Sequence, residues 1–167
     1  SYSNQIKSAL NSINHRGPDQ KDFFFGKKFA IGCVRLSIID LSIQGNQPMV
    51  EKNEGIVLGF NGEIYNYKEI RKALVSRGYK FSGFSDTEVL KNSFLEWGNN
   101  CVNYLRGMFS FIIWNEKKKE LSAFVDRFGI KPLFYTKYNN LLILSSEIED
   151  ILDFLPDEKK INEKSIF

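Results

Sequence analysis

The run Phe60-Asn61-Gly62-Glu63-Ile64-Tyr65-Asn66-Tyr67 sets an amide side chain, a glycine N–H and a carboxylate side by side at the end of an apolar strand. An oxyanion needs donors fixed where negative charge develops. An Asn amide beside a backbone N–H meets that need, and losing one such donor costs ~2.7–4 kcal/mol of barrier. Gly62 lets the backbone turn its N–H towards a ligand. Glu63 offers a seat for a cationic amine. Taken alone, Asn61-Gly62 also fits a plain strand-ending turn. The continuation favours the chemical reading, because a simple hairpin would resume strand alternation rather than run into a helical pattern.

Two further groups flank this cluster. Arg35, in Arg35-Leu36-Ser37-Ile38-Ile39-Asp40, sits in an apolar run and can offer a carboxylate a bidentate fork; an edge-strand arginine facing water is its simpler explanation. Asp86, in Ser85-Asp86-Thr87-Glu88, can take an ammonium group, and equally it suits the first turn of a helix, where the dipole favours acids. Together these residues describe a pocket for an amino acid. No convincing nucleophile accompanies them. His15 stands in a turn, His15-Arg16-Gly17-Pro18-Asp19, and is read as structural. Cys33 reads as an apolar strand filler. Cys101 opens a helical turn that could lower its pKa, yet has no base near it in sequence.

The elements that must position these groups fit one domain. The chain has 167 residues, of which 43% are hydrophobic, enough for a core without staples. A net charge of +3 with scattered lysines does not make a nucleic-acid face. Two cysteines and one histidine exclude a zinc site built only from Cys and His, which needs about four ligands. They also suit a reduced, cytoplasmic setting. No apolar run approaches the roughly 20 residues of a membrane span, and no signal peptide opens the chain.

Helical spacing predicts a first helix over 2–13. A hairpin follows, with strands over 23–25 and 29–34 joined by Gly26-Lys27-Lys28, its second run continuing through Leu36, Ile38 and Ile39. A polar loop over 44–48 precedes a strand over 55–60. Helices are expected from 67 to 78, with Asn66 and Glu69 as a capping box, and after Ser85, boxed by Glu88. A short helical turn over 101–105 leads into a strand with both faces apolar, Met108 to Trp114, which should be covered on both sides. Lys117-Lys118-Lys119 reads as a solvated turn. Strands over 120–126, 132–136 and 141–145 come next, then a helix capped by Ser146. Two stacked sheets between helical layers satisfy this order. Residues 1–155 are the domain, and the charged residues 156–167 read as a linker.

The motifs His15 to Asp19, Arg35 to Asp40, Gly45-Asn46-Gln47-Pro48-Met49, Asn61 to Asn66, Ser85-Asp86-Thr87-Glu88-Val89, Gly107-Met108-Phe109 and Asp126 to Leu133 occur in this order. The series resembles the glutaminase (class II glutamine amidotransferase) domain of glutamine-dependent asparagine synthetases over nearly the whole chain. The resemblance implies an α+β fold, the four-layer αββα sandwich of N-terminal-nucleophile hydrolases. It implies hydrolysis of glutamine to glutamate and ammonia, feeding ATP-dependent amidation of aspartate in a second, C-terminal synthetase domain. Arg35 would hold the glutamine α-carboxylate, Glu63 and Asp86 its α-amino group, and backbone near Ile38 and Ile39 would help seat it. Asn61 and Gly62 would form the oxyanion hole. No cofactor is expected in this domain; ATP and magnesium belong to the synthetase domain. A homodimer is left open.

The pattern departs from the family in places. The chain opens at Ser1, and the Met-Cys-Gly strand that carries the family's nucleophile is expected ahead of that residue in the full protein. The piece is therefore expected to be inactive without that cysteine, whose own α-amine serves as base. Cys33 and Val34 stand where relatives often carry His and Glu, and Val125 where an Arg is expected. The alternatives are a nucleophile-less scaffold, or a domain that binds glutamine without hydrolysing it.

Overall fold

A computed structural model of the chain describes residues 2–155, Tyr2 by its backbone only; the expected linker lies outside them. Helix α1 (Tyr2–Ser12) leads into the antiparallel hairpin β1 (Gln20–Phe25) and β2 (Ala30–Arg35). A four-stranded antiparallel sheet follows, in the order β3 (Met49–Glu51), β4 (Ile56–Ile64), β5 (Gly107–Asn115) and β6 (Glu120–Val125). Between β4 and β5 the chain inserts α2 (Tyr67–Ser76) and α3 (Asp86–Trp97). A last hairpin, β7 (Phe134–Tyr138) with β8 (Leu141–Ser145), ends in α4 (Ile148–Asp153).

Alternation along β4 explains the layering. Ile56, Leu58, Phe60 and Ile64 point to one face and join Ile70 and Leu74 of α2, Val89 and Leu90 of α3, and Phe109, Phe111 and Ile113 of β5 in the main core. On the other face Val57 meets Ile31 and Cys33 of β2, with Ile112 and Trp114 of β5 packed alongside. Strand β5 is thus apolar on both faces because both faces are covered, as its sequence requires. Outside the β1–β2 and β7–β8 hairpins lie α1, against β2, and α4, against β7 and β8; the two helices touch each other. Asp150 of α4 fastens them by accepting the hydroxyls of Ser12 and Ser145. The result is the four-layer αββα sandwich.

Several local expectations change. Strand β4 does not stop at Phe60 but runs through Asn61, Gly62 and Glu63, because β5 continues the ladder to Ile64↔Gly107. Strand β2 ends at Arg35, where β1 begins at Gln20 and no partner remains, so Leu36 and Ile38 stand exposed on a loop. The Asn66 amide does not cap α2. It donates to the Tyr104 carbonyl (3.0 Å) and accepts the Arg106 N–H (2.9 Å), joining the start of α2 to the approach to β5. Ser85 does cap α3, accepting the Glu88 N–H (3.2 Å), but the Glu88 carboxylate reaches the N–H groups of Ser82 and Gly83 instead of closing the box. Ser146 is not the cap of α4. That position falls to Glu147, whose own N–H donates to Ser145 Oγ (3.2 Å).

Candidate active site

The sandwich leaves a cavity of about 300 Å³ between β2, the inner face of β4–β5 and the approach to β7 and end of β8. Arg35, Ile38, Ile39, Asn61, Gly62, Glu63 and Asp86 all line it. Residues spread over more than 50 positions of sequence therefore meet in one concave space.

Strand β4 supplies the first wall. Asn61 and Glu63 share the face of Val57 that looks towards β2, as the two-residue period demands. Asn61 Nδ2 is buried and has no hydrogen-bond partner, the sole such side-chain atom among the described residues. A buried donor left unpaired costs free energy, and such groups are rare in folded proteins. Next to it, Gly62 and Phe109 face each other without exchanging ladder bonds, because the Phe109 N–H goes to Asp126 Oδ2 and its carbonyl accepts the Asp126 N–H. The N–H of Gly62 therefore points away from β5, on the side shared by residues 60 and 64. There the Phe60 N–H donates to Gln47 Oε1 (2.8 Å) and the Ile64 N–H to Asp86 Oδ2 (3.0 Å). Between these two satisfied donors, the Gly62 N–H meets no acceptor among the described residues. Gly62 holds φ +143, and a Cβ there would collide with the Met108 carbonyl and the Phe109 backbone. Two donors, one side chain and one main chain, stand free at one place.

The other polar groups come from loop 36–46 and from the start of α3. Arg35 is not a solvent-facing edge residue; only 8% of it is exposed. Its guanidinium donates to the carbonyls of Asp40 and Ser42 and to Asn46 Oδ1 (3.1 Å), and no carboxylate lies within ion-pair distance among the described residues. A buried cation bonded only to neutral oxygens retains its attraction for an anion. Burial pushes the Asp86 carboxyl above its usual pKa, outweighing the Ile64 N–H, and the Glu63 charge acts in the same direction. A cationic ligand group would relieve both effects.

Burial disfavours the thiolate form of both cysteines. Cys33 lines the cavity, yet burial, helped by the Asp22 charge, pushes its thiol up to about 12. Cys101 opens no charge-stabilising helix end; it is fully buried in a 3-10 turn (Gly98–Asn103), and burial again raises it to about 12. His15 is exposed at 3.2 Å from Glu147 and does not line the cavity. No group of three or more His, Cys, Asp or Glu among the described residues is arranged to hold a metal.

Three participants carried no site assignment in the sequence. Asp40 is buried at the cavity edge, and its carboxylate accepts from Ser42 and Phe84. Gln47 holds the Phe60 N–H. Asp126 accepts the N–H groups of Phe109 (3.0 Å), Phe128 (2.9 Å), Ile130 (3.2 Å) and Lys131 (3.3 Å), fixing the loop that brings Lys131 and Leu133 to the cavity. Burial raises its carboxyl, but those amides together outweigh burial and hold it below the usual range. The signal for all three was motif membership; the distant N–H groups they accept are backbone atoms, which carry no mark in the sequence.

The sequence model of the glutamine amidotransferase domain matches residues 1–167. The chain belongs to that family. It is 42% identical over 147 residues to asparagine synthetase [glutamine-hydrolyzing] 1 of Bacillus subtilis, covering 88% of this chain and 23% of that protein. It is 40% identical over 152 residues to amidase chry2 of Gibberella zeae, covering 90% of this chain and 22% of that one. The chain thus spans less than a quarter of the length of these two relatives. Among solved structures, the glutamine phosphoribosylpyrophosphate amidotransferase of B. subtilis complexed with ADP and GMP superposes with a TM-score of 0.62 at 26% identity, over 73% of this chain and 28% of that one. This glutamine amidotransferase domain has no described helix long and apolar enough to cross a membrane.

Proposed function

We propose that the protein carrying this chain hydrolyses glutamine to glutamate and ammonia, and that the ammonia serves an ATP-dependent amidation of aspartate in a synthetase domain. The observation that carries the reading is the pair of free donors, Asn61 Nδ2 and Gly62 N–H, in a cavity that also holds Arg35, Glu63 and Asp86. In this reading Arg35 takes the substrate α-carboxylate, and Glu63 and Asp86 take its α-ammonium, with backbone near Ile38 and Ile39 along its flank. The amide carbonyl then lies at Asn61 and Gly62. As a nucleophile attacks, negative charge moves onto that oxygen, and the two donors gain strength in the tetrahedral state over the ground state. They are already oriented, so little reorganisation opposes the step.

The chain's own contribution is to bind, orient and polarise. The reading assigns attack to neither Cys33 nor Cys101, whose thiols are held protonated. It places ATP and magnesium with the synthetase chemistry and no cofactor in this cavity. The name of the asparagine synthetase relative supports glutamine as the hydrolysed substrate and asparagine as the product, for which aspartate is the acceptor in this reading; the reading also puts the reaction in the cytoplasm.

The test is glutamate release from glutamine by the protein, with and without an electrophilic glutamine analogue, followed by mapping the alkylated residue. Release that is abolished by the analogue, with label on neither Cys33 nor Cys101, supports hydrolysis. A second reading, a domain that binds glutamine without cleaving it, is favoured by the two inert thiols. It predicts calorimetric glutamine binding with no glutamate and no label.

A further inference from the structure

The cavity wall formed by loop 36–46 is not held by apolar packing. Ile38, Leu41 and Ile43 expose 70%, 80% and 79% of their surface. What fastens the loop is polar: Asp19 accepts the Ser37 N–H (2.8 Å), Arg35 donates to Ser42 and Asn46, and Asp40 makes the bond that reaches α3's approach. Asp40 Oδ1 accepts the N–H (2.9 Å) and hydroxyl (2.5 Å) of Ser42, and its carbonyl accepts from the Arg35 guanidinium. Its Oδ2 leaves the loop altogether and accepts the N–H of Phe84 (2.7 Å), two residues before Asp86.

The far side of that bond is a fixed point. Gly83 donates to Glu88 Oε2 (2.9 Å) and Ser82 to Glu88 Oε1 (2.8 Å). The Gly83 carbonyl accepts from Arg71 of α2 (2.7 Å), whose guanidinium stacks on Phe81 and Phe84 at 4.2 and 5.3 Å. The two segments approach so closely that a Cβ on Gly83 would lie 2.8 Å from both Asp40 Oδ2 and Gln44 Cβ. One carboxylate therefore ties a loop with little apolar anchorage to a segment braced by two helices.

We propose that Asp40 is a positioning residue that sets the distance between the two ends of the amino-acid clamp, Arg35 and Asp86. The inference rests on the proposed glutamine reading. It touches no reacting atom: Asp40 acts through Arg35 on one side and through the Phe84 N–H on the other. A clamp of fixed span binds its zwitterion with less ordering to do on arrival. Releasing the latch should weaken binding while leaving Asn61 and Gly62 in place on β4.

Steady-state glutaminase kinetics and amide hydrogen exchange on Asp40→Asn, Asp40→Ala and Ser42→Ala, in the full protein carrying this chain, test it. Asp40→Asn keeps the shape and is the variant to rely on if Asp40→Ala fails to fold. The expected result is a rise in KM for glutamine of about tenfold with kcat within about threefold, as for loss of uniform binding. The Phe84 amide should exchange at least about tenfold faster, since alanine leaves no acceptor and asparagine leaves one neutral oxygen for the three donors that Asp40 now serves. Ser42→Ala removes only the local turn and should raise KM by less than about threefold. Unchanged KM and unchanged Phe84 exchange in Asp40→Asn would overturn the latch, as would a fall in kcat at constant KM. Absence of glutamate release from the unmutated protein would overturn the hydrolytic reading instead, and the exchange measurement would still decide the latch.

Discussion

The two walls of the cavity are built from different physics. The Asn61 wall is a central strand with β5 along one edge and apolar residues on both faces; nothing in it can shift without breaking the core. The Arg35 wall is a loop with exposed apolar side chains, held by polar bonds: the Arg35 guanidinium to Ser42 and Asn46, Asp19 to the Ser37 N–H, and Asp40, which alone of these carries it across to Phe84. The aspartates bonded to the two walls, Asp40 in the loop and Asp86 of α3 on the Ile64 N–H of β4, titrate in opposite directions. The Ser42 hydroxyl, aided by the N–H groups of Phe84 and Ser42 and by the Arg35 charge, outweighs burial and holds Asp40 below the usual range. Asp86 is held above it by burial. Asp40 is satisfied by the protein itself, whereas Asp86 is left wanting a cation. The rigid wall suits the step where charge develops. The latched wall suits admission of a substrate.

The comparison breaks most sharply at Asn61. Asn61→Ala should lower kcat for glutamine hydrolysis by about 10²–10³-fold. It should not lower thermal stability, because it removes a buried donor that had no partner. Unchanged glutamate release would sink the oxyanion assignment. For stability, the strand wall should dominate: Leu58→Ala, fully buried behind the site, should cost about 2–5 kcal/mol in urea unfolding. Gly83→Ala forces a methyl into the loop contact and should cost about 1–3 kcal/mol, with a rise in glutamine KM alongside.

Asp86→Asn sharpens the contrast between the two carboxylates. A carboxyl whose pKa is higher folded than unfolded contributes stability that is complete below the unfolded value and is lost as pH rises through the folded one. At neutral pH the wild type has lost that contribution, so Asp86→Asn should melt higher than wild type. The gap should close as pH falls towards the ordinary carboxylate value of 3.8. The variant should also bind glutamine more weakly. A melting point below wild type at pH 7 would show that the charged form is needed by the fold. At the small end, Ile43→Ala should change stability by under about 0.5 kcal/mol, since that residue is 79% exposed.

What could be read in advance divides along the same line. The sandwich was legible because β4 and β5 announce themselves: Phe109, Phe111 and Ile113 alternate with Ile112 and Trp114, and only a doubly covered strand tolerates that. Asn61, Gly62, Glu63, Arg35 and Asp86 were legible because their types and spacing suggest chemistry. The Asp40 latch was not, because its acceptor meets a backbone N–H 44 positions away and any residue but proline carries one. Strand ends were misjudged for a related reason. Arg35 closes β2 because β1 runs out, and Asn61 continues β4 because β5 does not. The fate of Asn66 was hidden likewise, its amide being engaged by Tyr104 and Arg106 rather than by its own helix.

Phe128 projects 88% of its surface into solvent, at the tip of a loop with no apolar hold of its own. Its N–H ends on Asp126, and the same carboxylate receives the N–H of Phe109, the residue opposite Gly62. A force applied to that aromatic ring from outside is thus only two hydrogen bonds from the strand beside Asn61 and Gly62. The most exposed large apolar side chain among the described residues is also a handle on the strand that faces Gly62.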